Sequence, residues 1–302
     1  MKRLRQLFLR PGIIKCAGAH DAASARVAQD VGFDAIWSSS FGISIANCVP
    51  DESILSMKDF LDVTRSISTA VSVPVIADCD TGYGDEYNVA YAVQRFEAAG
   101  VSGICIEDQK FPKRCSLFPS GQELAPVKEF IAKIRAAKRA QKSPDFFLIA
   151  RTEALITGAG LEKAEFRARE YAQAGADAVL VHWNQPSPQP IIDFLSRWTL
   201  ETPVVVIPTT YGPITAQRLE ELNAKMVIYA NQGIRCALQA MEDAFTSILR
   251  DGTADGVKAM WPLSRALELQ QLTKPDCSMA KPSRAAVAPT DTKWNKGMRV
   301  PN

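Results

Sequence analysis

Histidine is almost missing from this chain: His20 and His182 are the two present among 302 residues. An imidazole-rich metal centre is therefore excluded, and any bound metal must sit on oxygen ligands. Cysteine occurs seven times but always singly, at 16, 48, 79, 105, 115, 236 and 277, with no CxxC pair. An odd, unpaired set argues against a disulfide framework or a zinc site and for reduced thiols in a cytoplasm. Long hydrophobic runs are lacking too. No stretch approaches the ~18 consecutive apolar residues of a membrane span. Charge of one sign is also missing, since 35 Lys+Arg against 33 Asp+Glu leave a net +2, too weak a field to suggest nucleic acid as partner. The basic start, MKRLRQLF, is followed by neither a long apolar segment nor a small-residue cleavage site, so no secretory signal is expected.

What the chain does have is a short β-branched apolar run followed by an amphipathic helix, repeated. Eight such runs occur, at residues 13–17, 35–39, 73–77, 103–107, 146–150, 178–182, 203–208 and 226–230. Each is continuously apolar rather than alternating, as suits strands buried on both faces of a parallel sheet. Helical periodicity fills the gaps, for example at 87–99, 161–174 and 216–222, and Gly32, Gly100 and Gly175 supply the helix stops. Eight βα units predict an α/β protein with a (β/α)8 TIM barrel. The rival, an open Rossmann-type sheet, lacks its GxGxxG after any of these runs. The expected organisation is one barrel domain over 1–272, including helices at 234–250 and on to 272. Residues 273–302 carry Pro275, Pro282, Pro289 and Pro301 with little periodicity, as expected of a tail or an arm onto a neighbouring subunit.

A barrel of this kind carries its active site at the C-terminal ends of its strands. Those ends read Trp37-Ser38-Ser39-Ser40, Asp78-Cys79-Asp80, Glu107-Asp108-Gln109, Arg151-Thr152-Glu153, His182 and Asn231. Asp78 and Asp80 lie two apart on a strand and are expected to face the same way, with Glu107 of the next strand completing three carboxylates. Mutual repulsion makes such a cluster costly unless a hard cation, Mg2+ or Mn2+, sits among them. The plainer alternative is that these acids cap helix N-termini. Arg151 and Lys113 are the cationic candidates, with His182 and Arg235 in the same layer. Arg151 either grips an anionic substrate bidentately or pairs with Glu153 or Glu107. His182, and with less reason His20, are either functional or satisfied core histidines.

Between the fourth strand and its helix lies QKFPKRCSLFPSGQE (109–123), long and without periodicity of its own. A loop of this kind often serves as a lid, and its Lys113, Arg114, Cys115 and Ser116 suit an anionic small-molecule substrate shielded from water. The alternative is a solvated basic loop.

These landmarks together resemble one known group. IWSSS (36–40), VPDESILSM (49–57), ADCDTGYG (77–84), IEDQKFPKRCS (106–116), IARTEAL (149–155), VLVHW (179–183) and VIYANQGIR (227–235) are similar to the phosphoenolpyruvate mutase/isocitrate lyase superfamily, over roughly residues 10–272. The resemblance implies a barrel whose last helix is swapped between subunits of a homo-oligomer, commonly a dimer of dimers. It implies Mg2+ around Asp78, with Asp80 and Glu107 acting largely through water. It further implies an α-keto acid meeting Trp37, Ser38 and Ser39, with Arg151 on the substrate's oxygens and 109–123 as the gate. Asp51 aligns with the residue that acts on the transferring group in the carbon–phosphorus branch, where His182 is expected to contact the phosphoryl group. Ser116 and Asn231 complete the expected substrate contacts.

The branch turns on the loop. Carbon–carbon lyases of this superfamily usually carry K-[KR]-C-G-H, in which Cys is the general acid; here Cys115 is followed by Ser116 and Leu117. Phosphoenolpyruvate mutases resemble E-D-K-x-x-x-K-x-N-S, whereas Gln109 and Cys115 stand here for the Lys and the Asn. Phosphonopyruvate hydrolases lack that Asn, and VPDESILSM and GQELAPVKEF (121–130) look closer to them. An amide could hold a phosphoryl group for recapture by the enolate oxygen, and a thiol holds it poorly. Alternatively Cys115 is a thiol acid poised by Lys113 and Arg114. The expected reaction is Mg2+-dependent C–P cleavage of phosphonopyruvate through a pyruvate enolate, with hydrolysis first, mutase interconversion second and a C–C lyase on an oxaloacetate- or malate-like acid third. A barrel lapsed into a binding or assembly role would be free to lose the acids and Arg151, and all are retained.

Overall fold

Apolar strands that must hide both faces need helices outside and each other inside. The computed structural model, which describes residues 4–118 and 120–270, shows that solution. The order is α1 (Leu4–Leu9), β1 (Ile14–Ala19), α2 (Ala22–Asp30), β2 (Ala35–Ser38), α3 (Ser40–Ala46), α4 (Met57–Ala70), β3 (Val75–Asp78), α5 (Glu86–Ala98), β4 (Gly103–Glu107) and α6 (Val127–Ala140). There follow β5 (Phe147–Thr152), α7 (Leu161–Gln173), β6 (Ala178–Val181), α8 (Gln189–Arg197), β7 (Val204–Val206), α9 (Ala216–Glu221), β8 (Ala224–Tyr229) and α10 (Gln232–Asp251). The eight strands pair in parallel and in sequence order, and β1 pairs with β8 to close the barrel. The expected (β/α)8 barrel is what forms.

Register explains the interior. Cys16 lies opposite Ala35 and Ile228, Trp37 opposite Ile76, Cys105 opposite Ile149, Ile149 opposite Ala178, and Leu180 opposite Val205. These side chains form one buried cluster, while the alternate strand residues pack with the helices in two others. A side-chain period of two thus divides each strand between the barrel centre and the helix layer. Gly103 of β4 lies where a Cβ would come 2.4 Å from the Phe147 carbonyl oxygen, so only glycine allows this approach of β4 to β5.

The basic N-terminal segment has a structural use. Leu4 is buried, and Leu7 and Phe8 pack with it against the interior cluster. Phe8 stacks on Phe147, the first residue of β5, at a ring distance of 4.3 Å, so α1 closes the N-terminal mouth. Arg5 secures it through Asp177 at 2.8 Å. The C-terminal mouth is thereby left for chemistry.

Residues up to Met260 form one compact unit; the described residues 261–270 belong to a second, in which α11 (Leu263–Glu268) follows Trp261, with Arg265 over the Trp261 ring. The expected tail, 273–302, lies outside the described residues. Among the described residues, no helix is long and apolar enough to cross a membrane.

Candidate active site

The C-terminal mouth holds a cavity lined by Trp37, Ser39, Asp51, Asp78, Lys113, Cys115, Ser116, Arg151, His182 and Asn231. Residues from most of the strand ends, brought from across the sequence, therefore share one wall. Ser40, Phe41, Leu117, Ile207, Thr209 and Ala230 complete it. Ile207 and Thr209 follow β7, and the strand-end rule applied to that strand would have found them.

Three expected residues are placed differently. Ser38 bonds Thr64 of α4 through its hydroxyl at 2.8 Å, on the helix side of the sheet. It follows Trp37, which points into the barrel, and so must point out. Asp80 does not face the way Asp78 does. β3 ends at Asp78, and Asp80 has φ +50°, in the left-handed region, so strand alternation has already stopped. Asp78 lines the cavity described above, and Asp80 lines a neighbouring one with Tyr83, Tyr91 and Phe111. Glu107 is buried behind the wall, where Oε1 accepts from Gln109 at 3.0 Å and Oε2 lies 3.3 Å from Arg151. Hence the three acids do not converge as direct ligands, and among the described residues no group of three or more His, Cys, Asp or Glu does so. Cations of the chain itself relieve the repulsion expected between them. Arg235 is exposed and His20 lies by Asp21, both away from the cavity lining.

Lys113 is the first of these cations. Its ammonium lies 2.8 Å from Asp51 and 2.6 Å from Asp80, with Ser40 at 3.4 Å. Burial works against its charge, but Asp51, then Asp80 and Glu107, outweigh it and hold the ammonium well above the usual lysine range. Burial pushes the Asp80 carboxyl up to about 6, with Lys113 opposing. Glu107 is raised far above its ordinary range by burial, against the pull of Arg151.

Arg151 is the second. It pairs with Glu153, donates to the Ser116 hydroxyl at 3.0 Å and meets His182 Nδ1 at 2.7 Å. Arg151 is thus paired with Glu153 and Glu107, and it also lines the cavity. Because a guanidinium only donates, Nδ1 accepts from it and the imidazole proton sits on Nε2. Burial, then the Arg151 charge, lowers the His182 pKa and keeps the ring neutral. Glu153 was not among the expected site residues, yet it is wholly buried and joins Arg151, His182 and Ser116, whose hydroxyl donates to it at 2.9 Å. Burial alone would raise its carboxyl; Arg151 holds it far below the usual range. The signal was available, because Arg151 and Glu153 are two apart and share a face.

The loop over the site is anchored on both sides of the cavity. Lys113 reaches Asp51 and Asp80, Ser116 reaches Glu153, Asn184 donates to the Ser116 carbonyl at 2.6 Å, and Arg114 pairs with Glu52 at the surface. Gln109 ties the loop base down, its amide nitrogen on Glu107 and its oxygen accepting from the Arg114 N–H at 3.2 Å. Cys115 faces the cavity and is buried, which pushes its thiol up to about 11. Arg114 turns outward to Glu52 and does not poise it.

The donor set suits a hard cation in one respect and an anionic ligand in another. Asp78 offers a carboxylate to the cavity, held by the Ser40 hydroxyl at 2.9 Å, and Asp80 and Glu107 stand behind it. Mg2+ binds in this manner, through one or two carboxylates with water and substrate oxygens supplying the rest. Asn231 presents a buried amide oxygen with no hydrogen-bond partner among the described residues. In the same cavity wall, Arg151, Lys113 and the neutral His182 supply donors for oxyanions.

Comparison with known proteins agrees with this geometry. A profile of the phosphoenolpyruvate phosphomutase family matches residues 4–249. The chain is 44% identical over 255 residues to a phosphonopyruvate hydrolase of Variovorax sp. (strain Pal2), covering 83% of this chain and 88% of that one. A crystal structure of phosphoenolpyruvate phosphomutase from Streptomyces platensis subsp. rosaceus superposes with a TM-score of 0.88 at 51% identity, over 89% of this chain and 94% of that one. A crystal structure of phosphonopyruvate hydrolase complexed with oxalate and Mg2+ gives a TM-score of 0.84 at 40% identity, over 89% and 95%. From its barrel, its strand-end constellation and these likenesses, the chain belongs to the phosphoenolpyruvate phosphomutase family.

Proposed function

We propose that this protein is a divalent-cation-dependent enzyme that breaks the carbon–phosphorus bond of phosphonopyruvate, releasing pyruvate and phosphate. The observation that carries the reading is one cavity lined both by carboxylates, Asp78 and Asp51, and by oxyanion donors, Arg151, His182 and Lys113. A 2-oxo acid bearing a phosphoryl group has two ends that match. Asp78, with Asp80 and Glu107 behind it, would hold a Mg2+ or Mn2+ ion, which would supply positive charge to the oxygens of the 2-oxo acid. Trp37 and Ser39 position that end, with Ser38 contributing through its place in the strand. As the C–P bond breaks, its electron pair stays on carbon and forms the pyruvate enolate. Arg151 offsets the growing negative charge, and the His182 N–H and the Lys113 ammonium hold the phosphoryl oxygens. Asp51 orients the water whose oxygen takes the phosphorus, and the enolate carbon regains a proton.

Cys115 favours hydrolysis over the mutase reaction. Its neutral thiol is a poor donor, so a phosphoryl group beside it is weakly held for return to the enolate oxygen. The mutase is kept as a second reading because a phosphomutase is 51% identical to this chain. Phosphorus NMR with phosphonopyruvate and Mg2+ decides: inorganic phosphate that EDTA suppresses establishes the hydrolase. Phosphoenolpyruvate would establish the mutase, and an unchanged spectrum would exclude both.

The same reading makes the protein a homo-oligomer, a dimer of dimers built by exchange of α10. That helix buries Ile234 alone, and Leu238, Met241, Phe245, Ile248 and Leu249 are exposed along it. A cytoplasmic location is supported by six free cysteines among the described residues.

A further inference from the structure

Behind the cavity wall lies a second, wholly buried carboxylate that no substrate reaches. Asp108, the residue after β4, is 0% exposed, and its Oδ2 accepts from Thr152 Oγ1 at 3.0 Å, Arg167 Nη1 at 2.9 Å and Tyr171 Oη at 2.6 Å. Its Oδ1 accepts from the Glu153 backbone N–H at 2.8 Å. The Asp108 carbonyl takes the N–H of Ala125, where the loop returns to α6, and Arg167 Nη2 donates to the Ala125 carbonyl at 2.9 Å. One residue thus fixes the end of β5, the buried face of α7 and the far hinge of the loop.

We propose that Asp108, backed by Arg167 and Tyr171, is a positioning residue that sets the place of Glu153 and, through it, of Arg151 and His182. Glu153 pairs with Arg151, whose guanidinium donates in turn to His182 Nδ1, and the main chain of Glu153 is held by Asp108. None of Asp108, Thr152, Arg167 or Tyr171 lines the cavity; the Asp108 carboxylate acts on it through the Glu153 main chain, while the Asp108 N–H donates to the Arg151 carbonyl at 3.1 Å. A buried acid has other ways to be satisfied; here its donors come from the end of β5 and from α7, whose relative placement shapes the oxyanion side. The inference rests on the phosphonopyruvate reading for its kinetic test.

A double-mutant cycle tests it, because a positioning route predicts coupling and independent structural roles predict additivity. Tyr171→Phe is expected to lower kcat/KM for phosphonopyruvate about tenfold in the native background and less than about twofold in Glu153→Gln. Thr152→Val removes a different donor from the same carboxylate and keeps the test open if Tyr171→Phe fails to fold. It is expected to lower kcat/KM about fivefold with the same coupling. Additive losses, or native kinetics in both folded variants, would overturn the proposal. If the wild-type protein turns over no phosphonopyruvate, the functional reading has failed, and the cycle is then measured on inorganic phosphate affinity by titration calorimetry. The same coupling there would uphold Asp108 as the positioning residue; additivity, or no phosphate binding by wild type, would overturn that too.

Discussion

Cys115 is where single-residue chemistry has most to decide. A hydrogen bond to a charged group is worth about 1.5–3 kcal/mol, a factor of roughly ten to a hundred in partition. Cys115→Asn would place such a donor in the cavity wall, and the ratio of phosphoenolpyruvate to phosphate formed from phosphonopyruvate is expected to rise by that factor, read by phosphorus NMR. His182 sets a pH dependence. Its folded pKa lies below the ordinary 6.5, so its contribution to stability is present above pH 6.5 and is lost as pH falls toward the folded value. His182→Asn is therefore expected to flatten the fall in melting temperature below pH 6.5 in calorimetric scans. Alternation along an extended strand made Trp37, Asp78 and Arg151 legible. It misplaced Asp80, whose left-handed backbone no periodicity reveals, and Ser38, which the same rule applied from Trp37 turns outward.

Among elements, the eight strands were readable because each is an uninterrupted apolar run, and the structure places a strand on every one. Of the short helices, α9 was readable at 216–222, whereas α1 and α3 were not; α1 is helical for packing reasons, as a plug beneath the barrel. The length of the 109–123 loop was legible, but its anchors depend on tertiary contacts. Those anchors differ in worth. Arg114 to Glu52 is a surface pair of the kind that contributes about 0–1 kcal/mol. Lys113 is buried between two carboxylates, and removing one partner of a buried pair typically costs about 3–5 kcal/mol. Lys113→Met is thus expected to speed hydrogen exchange across 110–122 and to lower kcat/KM at least a hundredfold (about 2.7 kcal/mol), whereas Arg114→Ala leaves both within about twofold.

At the scale of the whole molecule, α10 has an apolar face left exposed among the described residues. Leu238, Met241, Phe245, Ile248 and Leu249 recur at helical spacing on it. Phe245→Glu with Leu249→Glu is expected to lower the mass found by light scattering, and an unchanged mass would count against helix exchange. The other end of this helix lies at the chemistry. Asn231 is both the N-cap of α10 and part of the cavity wall. If α10 is exchanged between copies as proposed, catalysis and assembly become linked by mass action: a folded state completed by a second copy weakens with dilution. Specific activity should fall as subunit concentration drops through the dissociation constant of the assembly, and substrate, by favouring the completed site, should move that fall to lower concentration.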